Sequence, residues 1–107
     1  MSAEPSVAIY QDEYLQMNHR RREVRIVGQL VHLTPIEWRI LAEFLRVPGD
    51  AVSQEWLWKA VWDADYPTLE NIKWHISKLR KKLGFSTTGP IVTIRGFGFR
   101  YEPEEPN

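Results

Sequence analysis

The chain has 107 residues, of which 43% are hydrophobic and 26% charged, and its 14 basic and 14 acidic side chains balance to zero net charge. This length suits one domain with its own hydrophobic core, so we expect a single domain over residues 1–107, ordered from about residue 6 to residue 102. The absence of cysteine excludes disulfides, thiolate metal sites and thiol catalysis.

Composition also predicts a cytoplasmic, unexported protein with no membrane partner. No apolar run approaches the roughly 20 residues that cross a bilayer, and residues 1–6 lack the basic and then apolar order of a signal peptide. Charge is unevenly distributed, because residues 70–101 carry seven cations against Glu70 while both ends of the chain are acidic. A polyanion responds to local potential, so overall neutrality does not exclude a nucleic-acid partner.

The first third of the chain predicts four short strands, at residues 7–11, 14–18, 22–27 and 30–33. Apolar and polar residues alternate in these segments, which is typical of an antiparallel sheet with one buried face. The residues expected to point inward are Leu15, Met17, Val24, Ile26, Val31 and Leu33. The basic cluster at residues 19–22 could bind phosphate, although a hairpin turn also exposes charge that meets only solvent.

A first helix is predicted from Pro35 to about Arg46. Thr34 is a typical N-cap, proline suits the first helical position, and Glu37 completes a capping box. The apolar face of this helix comprises Ile36, Ile40, Leu41, Phe44 and Leu45. The sequence Val47-Pro-Gly49 ends it.

A second, shorter helix is predicted over residues 53–62, with Leu57 and Val61 buried. Its surface is crowded by Trp56, Trp58 and Trp62. Three tryptophans at this spacing cannot all face one core. We therefore expect Trp62 to be at least partly buried and either Trp56 or Trp58 to lie near solvent.

The third helix, predicted over about residues 69–83 with Thr68 as its N-cap, separates apolar from cationic residues at about 100° per residue. The stripe expected in the core comprises Ile72, Ile76, Leu79 and Leu83. The opposite face carries Glu70, Trp74, Ser77, Lys78 and Lys81. A tryptophan among cations on an exposed face indicates a contact surface.

Residues 91–101 predict a β-hairpin with Gly96 and Gly98 permitting its turn and with Arg95 and Arg100 on either side. Its aromatic residues Phe97, Phe99 and Tyr101 are expected to pack rather than to stack on bases, and the expected exception is Phe97 at the tip of the wing. A sheet, three helices and a hairpin in this order predict an α+β winged helix-turn-helix, with an N-terminal four-stranded antiparallel sheet and a C-terminal wing.

A basic helix followed by a basic hairpin suggests a nucleic-acid partner. Phosphates would be neutralised by Lys73, Lys78, Arg80, Lys81, Lys82 and Arg95. Lys78 could also donate to guanine and Asn71 could pair with adenine, whereas Trp74 could pack on a thymine methyl group or along the backbone. The alternative is a solvated cationic face, with Trp74 packed on a neighbouring loop near Tyr66.

Other classes of function have less support in the sequence. Ser53, His75 and several aspartates fall on separate elements without a catalytic motif, so we predict no enzyme. His19, His32 and His75 lack the paired spacing of metal ligands, and we predict no metal or cofactor. The alternative that stays open is a protein-interaction module that docks a partner through the tryptophan-rich second helix. Salt distinguishes the two, because binding to DNA weakens steeply with salt and aromatic docking does not.

Five stretches, in order and correctly spaced, resemble the DNA-binding output domain of OmpR/PhoB-type response regulators over nearly all of the chain. They are Leu33-Thr-Pro-Ile-Glu37, Pro48-Gly49 with Val52-Ser53, Val61-Trp62, His75-Ile-Ser-Lys-Leu-Arg-Lys-Lys-Leu83 and Ile91-Val-Thr-Ile-Arg-Gly-Phe-Gly-Phe-Arg-Tyr101. The resemblance implies a recognition helix in the major groove and a wing in the adjacent minor groove. It also implies sequence-specific binding of double-stranded DNA that regulates transcription as the output of a two-component phosphorelay.

By the same resemblance, Trp74, His75 and Lys78 occupy positions that contact bases or nearby backbone, and Trp62 lies near the backbone. Arg80 and Arg95 match positions that contact phosphates. The full set of predicted DNA-binding residues is Trp62, Asn71, Lys73, Trp74, His75, Ser77, Lys78, Arg80, Lys81, Lys82 and Arg95. A second copy is expected head to tail on promoter direct repeats, and the loop before the third helix is where the family touches RNA polymerase.

Four positions depart from the family pattern. Glu70-Asn71 stands where Arg-Thr is frequent, Lys73 replaces a common acidic residue, and Trp74 replaces a small aliphatic one. We therefore expect a different target sequence, with Glu70 repelling a phosphate. The loop before the helix is about one residue short, and no phosphoacceptor receiver domain is visible, so the expectation is an excised output domain or one with another input.

Overall fold

The computed structural model describes residues 9–62, 69–84 and 90–103, with Leu69 and Glu70 described by their backbone alone. Its first four strands form one antiparallel sheet in chain order: β1 Ile9–Gln11, β2 Leu15–Asn18, β3 Glu23–Ile26 and β4 Gln29–Val31. Met17 pairs with Val24, and both are at most 1% exposed. The predicted sheet and its buried face are confirmed. The strands β2, β3 and β4 are each shorter than predicted, and residues 7–8 of the predicted first strand lie outside the described residues.

The helix α1, Pro35–Arg46, begins as the sequence predicts. The Glu37 backbone N–H donates to Thr34 Oγ1 at 3.2 Å, and the Thr34 backbone N–H donates to Glu37 Oε1 at 3.0 Å, which completes the capping box. The predicted apolar face packs into the core, with Ile36 partly buried. Two further residues of this helix are buried, Trp38 and the charged Glu37.

A short strand, β5 Ala51–Ser53, precedes the helix α2, Gln54–Trp62. The prediction that this helix begins at Ser53 was wrong by one residue, because Ser53 caps it: Ser53 Oγ accepts from the Trp56 backbone N–H at 3.0 Å. Leu57 and Val61 are buried, as predicted. The expectation for the tryptophans is also confirmed, because Trp56 is 51% exposed while Trp58 and Trp62 pack partly buried against the core.

The helix α3, Leu69–Leu83, and the hairpin of β6, Ile91–Ile94, and β7, Gly98–Tyr101, complete the fold. The predicted apolar stripe of α3 is buried, with every member at most 3% exposed. The strand β7 lies between β5 and β6 in a three-stranded sheet, so the wing hairpin gains a third strand that the sequence did not predict. The predicted cap Thr68, Tyr66 and the loop before α3 lie outside the described residues.

The two glycines of the hairpin have different roles. Gly96 lies in the turn with φ of +76°, as the prediction required. Gly98 is instead a residue of β7, and a Cβ there would lie 2.0 Å from the Val52 carbonyl oxygen of β5. The prediction that Gly98 serves the turn was therefore wrong, because what requires glycine is the close approach of two strands.

Polar contacts join the N-terminal sheet to the rest of the fold. The carboxylate of Asp12 accepts from the hydroxyls of Tyr10 at 2.7 Å and Tyr101 at 2.9 Å. Burial, with the adjacent Asp12 carboxylate, raises the pKa of Tyr101, so its hydroxyl stays a donor. The Tyr14 hydroxyl donates to the Leu83 carbonyl at the end of α3. These contacts fix the positions of α3 and the wing relative to the N-terminal sheet.

Candidate nucleic-acid interface

The exposed face of α3 carries the residues that its helical spacing predicts. Trp74 is 57% exposed, the largest exposed fraction among the large hydrophobic residues in the described part of the chain. The other exposed residues on this helix include Asn71, Lys73, Ser77, Lys78 and Lys81. The side chain of Glu70 is outside the described set. The helix therefore presents an aromatic ring surrounded by cations to solvent.

Trp74 is held in place by neighbours on both sides. The ammonium of Lys78 lies 4.9 Å from the centroid of the indole, a cation–π contact. The ring of His75 meets the indole edge to face at 4.9 Å, and it also packs on Trp62 of α2 at 5.5 Å. Burial lowers the pKa of His75 below its ordinary 6.5, so it is a neutral aromatic spacer at pH 7. The resulting aromatic row consists of Trp62, His75 and Trp74.

A cleft of about 400 Å³ separates α3 from the wing. Lys73 lines it from the helix and Arg95 from the wing turn, and both side chains are exposed. Arg80, Gln54 and Thr93 complete its polar lining. The exposed cations Lys73 and Arg95 make this open cleft electropositive.

Arg80 spans from α3 to the wing. Its Nε donates to the Ile91 carbonyl at 2.9 Å and its Nη2 donates to Thr93 Oγ1 at 2.5 Å, while the guanidinium lies 5.9 Å from the Phe99 ring centroid. Burial lowers the pKa of Arg80, but a guanidinium stays charged in proteins. Part of its donor set is thus used to hold the wing against the helix.

Lys82 forms an ion pair within the protein. Its ammonium lies 2.7 Å from Glu37 Oε1 in the first turn of α1, and the Glu37 side chain is only 4% exposed. Burial alone would raise the pKa of Glu37, but hydrogen bonds from Lys82 and Thr34 hold it below its ordinary value. This pair joins the N-terminus of α1 to the last turn of α3.

Comparison with known proteins identifies the family. Residues 28–101 match the family model described as "Transcriptional regulatory protein, C terminal". This chain belongs to that family. It is also 38% identical to the transcriptional regulatory protein CseB of Streptomyces avermitilis over 87 residues, which are 80% of this chain and 36% of the relative. The chain therefore spans about a third of the length of this curated relative.

Solved structures of the family have the same fold. The response regulator DrrB of Thermotoga maritima, described as an OmpR/PhoB homolog, superposes with a TM-score of 0.81 at 25% identity, over 89% of this chain and 44% of DrrB. The RstA DNA-binding domain of Klebsiella pneumoniae, solved in complex with the RstA box, gives 0.80 at 25% identity, over 90% of this chain and 98% of that one. The resemblance to OmpR/PhoB-type output domains and the winged-helix fold are thereby confirmed.

Within this family domain, the predicted site residues fall into two groups. Those on the exposed face of α3 and on the wing turn come together around the cleft and the aromatic row. Arg80 also lines the cleft and Lys82 follows Lys81 on α3, but both are engaged by protein partners. Gln54 and Thr93 line the same cleft and were not predicted. Only their adjacency to α3 identifies them, and adjacency between elements leaves no local pattern in sequence.

The family match does not favour the alternative of docking through α2. Trp56 alone among the three tryptophans of this helix is largely exposed. Its indole N–H donates to Glu43 Oε1 at 2.9 Å.

At the basic turn of the N-terminal sheet, two of the side chains pack on Trp38. The ring centroids of His19 and Trp38 are 5.5 Å apart, and the Arg22 guanidinium lies 4.9 Å from the centroid of the indole.

Nowhere in residues 9–62, 69–84 and 90–103 do three or more His, Asp or Glu side chains come together as a metal site would need. Over those same ranges, no helix combines the length and the apolar character that crossing a bilayer requires.

Proposed function

We propose that this domain binds double-stranded DNA in a sequence-specific manner and regulates transcription, as the output domain of a two-component response regulator. The helix α3 enters the major groove and the wing, residues 91–101, reaches the adjacent minor groove. The observation that carries the proposal is the pairing of an exposed cationic α3 face with a cationic wing turn across an open cleft. Membership of the family and the RstA complex support it.

The geometry suggests distinct roles for the predicted residues. Lys78, Asn71 and Ser77, with Trp74, face the base edges, because they occupy the exposed face of α3. Lys73 and Arg95 hold the phosphate strand that passes over the cleft, and Lys81 meets a phosphate further along the groove. His75 and Trp62 line the opposite flank. Arg80 and Lys82 act as positioning residues that fix α3 relative to the wing and to α1.

Residues 1–107 would act as one DNA-binding domain in the cytoplasm. A single recognition module buries only about 600–1,000 Å² on DNA, so tight binding requires two copies, which we place head to tail on direct repeats about one helical turn apart. A contact with RNA polymerase through the loop before α3 stays a prediction, because residues 63–68 lie outside the described ranges.

Selection from a random duplex pool at low salt, followed by sequencing of the bound fraction, tests the proposal. A specific domain should enrich a short motif repeated at helical-turn spacing. The selected duplex then serves for titrations with Lys78→Ala and Arg95→Ala between about 50 and 200 mM salt. Each lost phosphate contact should flatten the log–log salt slope by about 0.9, and a lost base contact should cost about 1–3 kcal/mol of specificity.

The matched control is Arg21→Ala, which removes an exposed cation from the sheet turn rather than from α3 or the wing. It should leave both affinity and salt slope unchanged. If Lys78→Ala and Arg95→Ala bind the selected duplex as the unmodified protein does, the assignment of α3 and the wing is wrong. An unenriched pool would refute sequence-specific binding itself.

A further inference from the structure

We propose that Trp74 is a specificity-determining residue of this domain and that it recognises the C5-methyl group of thymine in the major groove. The inference rests on the proposed function, because it requires α3 to lie in that groove. It adds to that function the feature of the base that is recognised, which is a methyl group. A domain built this way distinguishes thymine from uracil, and 5-methylcytosine from cytosine, through a single side chain.

The position of Trp74 directs it at base edges rather than at the backbone. The preceding residue, Lys73, lines the cleft toward the wing, and the following residue, His75, packs on Trp62 toward α2. Trp74 lies between these two flanks, in line with Ser77, Lys78 and Lys81 at the three- and four-residue spacing of one helix face. The flanks of a helix in the major groove meet phosphates, and the centre of its face meets the bases.

The chemistry of the indole restricts what it can recognise there. A tryptophan side chain has one N–H donor and no acceptor, so it cannot match the hydrogen-bond pattern of any base pair at two points. The one apolar feature in the major groove is the thymine methyl group. With more than half of Trp74 exposed, an apolar ring surface is available for that methyl group.

The neighbours of Trp74 limit its loss of entropy on binding. Lys78 covers one side of the ring at 4.9 Å, and His75 supports another at 4.9 Å with an interplanar angle of 81°. His75 is in turn supported by Trp62 at 5.5 Å. A ring held before DNA arrives presents a fixed apolar surface, so methyl contact adds affinity without a large ordering cost.

The test replaces thymine by deoxyuracil in the duplex selected from the random pool, one position at a time on both strands. Uracil retains every hydrogen-bonding group and lacks only the methyl group. Fluorescence anisotropy gives Kd for the unmodified protein, for Trp74→Ala and for the control Trp56→Ala, which removes an exposed tryptophan of α2. Burial of one methylene-sized group is worth about 0.8 kcal/mol, so we expect about fourfold weaker binding at one or two positions.

The expected result is that Trp74→Ala binds the thymine and uracil duplexes equally at those positions while Trp56→Ala still discriminates. At the same positions, 5-methylcytosine should bind the unmodified protein about fourfold more tightly than cytosine, again only when Trp74 is present. Because the ring is exposed, the thermal midpoint of Trp74→Ala should match that of the unmodified protein, which excludes misfolding as the cause.

The outcomes separate this inference from the proposed function. If the unmodified protein binds its selected duplex but no uracil substitution weakens binding, methyl recognition is wrong and DNA binding stands. If a position is sensitive and Trp74→Ala retains the full sensitivity, another residue makes the contact and the assignment is wrong. If no duplex is enriched by the selection, the proposed function fails and this inference fails with it.

Discussion

The ion pair between Lys82 and Glu37 yields a prediction that separates a structural cation from a DNA-contacting one. The substitution Lys82→Met keeps much of the aliphatic stem and removes the ammonium that lies 2.7 Å from Glu37 Oε1. Glu37, 4% exposed in its side chain, then keeps its contact with the Thr34 backbone N–H and loses its counter-ion. Unfolding should therefore require less free energy.

The magnitude follows from the burial of the two partners. Removing one partner of a fully buried pair costs about 3–5 kcal/mol, but the Lys82 side chain is 35% exposed and water screens the pair from that side. We expect a loss of about 1–2 kcal/mol, which lowers the thermal midpoint by about 5–10 °C in a domain of this size. Urea unfolding followed by tryptophan fluorescence measures it.

The control is Lys81→Met, the adjacent exposed lysine of α3, which should change stability by less than about 0.5 kcal/mol. On DNA the order should reverse, because Lys81→Met removes a phosphate contact and flattens the salt slope by about 0.9. Lys82→Met should leave that slope unchanged. The reasoning is refuted if Lys82→Met is as stable as Lys81→Met.

The pH dependence of stability tests the same pair. The pKa of Glu37 is lowered from its ordinary 4.5 in the folded state, so the unfolded chain binds a proton at higher pH than the folded one does. The stabilisation from the charged pair is therefore complete above about pH 5 and is lost as pH falls below 4.5 through the lowered value. In Glu37→Gln this part of the acid-induced loss should disappear, and an unchanged acid profile would contradict the assignment.

Three further predictions concern the wing and its support. Gly98→Ala should destabilise the fold by more than about 2 kcal/mol in urea unfolding, because its Cβ would meet the Val52 carbonyl oxygen at 2.0 Å. Gly96→Ala is strained only by the φ of +76° at that residue and should cost about 1 kcal/mol. Equal losses of stability in the two variants would contradict the reasoning. Tyr101→Phe should cost about 1–2 kcal/mol through its lost hydrogen bond to Asp12, and an unchanged urea midpoint would disprove it. Arg80→Met should weaken DNA binding, and Arg80→Lys should bind DNA nearly as weakly, because a lysine cannot reproduce the two hydrogen bonds to the Ile91 carbonyl and Thr93. Anisotropy titrations measure both affinities. Full affinity in Arg80→Lys would show that charge alone matters.

Much of this fold could be predicted from local sequence signals. The capping box at Thr34 and Glu37 and the apolar stripe of α3 depend on residues three or four apart, and both are confirmed. The strand β5 escaped prediction because three residues carry too little periodicity, and its pairing with β7 joins residues nearly 50 positions apart, such as Val52 and Phe99. Its existence depends on a partner strand that no local pattern indicates.

The candidate site shows the same division. The sequence by itself determined that α3 has a cationic face with Trp74 at its centre, because helical geometry converts spacing into direction. Only the tertiary structure decided which cations are free to meet a phosphate. Lys81 and Lys82 are neighbours of the same type, yet a rotation of about 100° between them turns Lys82 toward Glu37 of α1 and leaves Lys81 in solvent. Charge is a property of the residue, whereas its availability depends on what the fold places beside it.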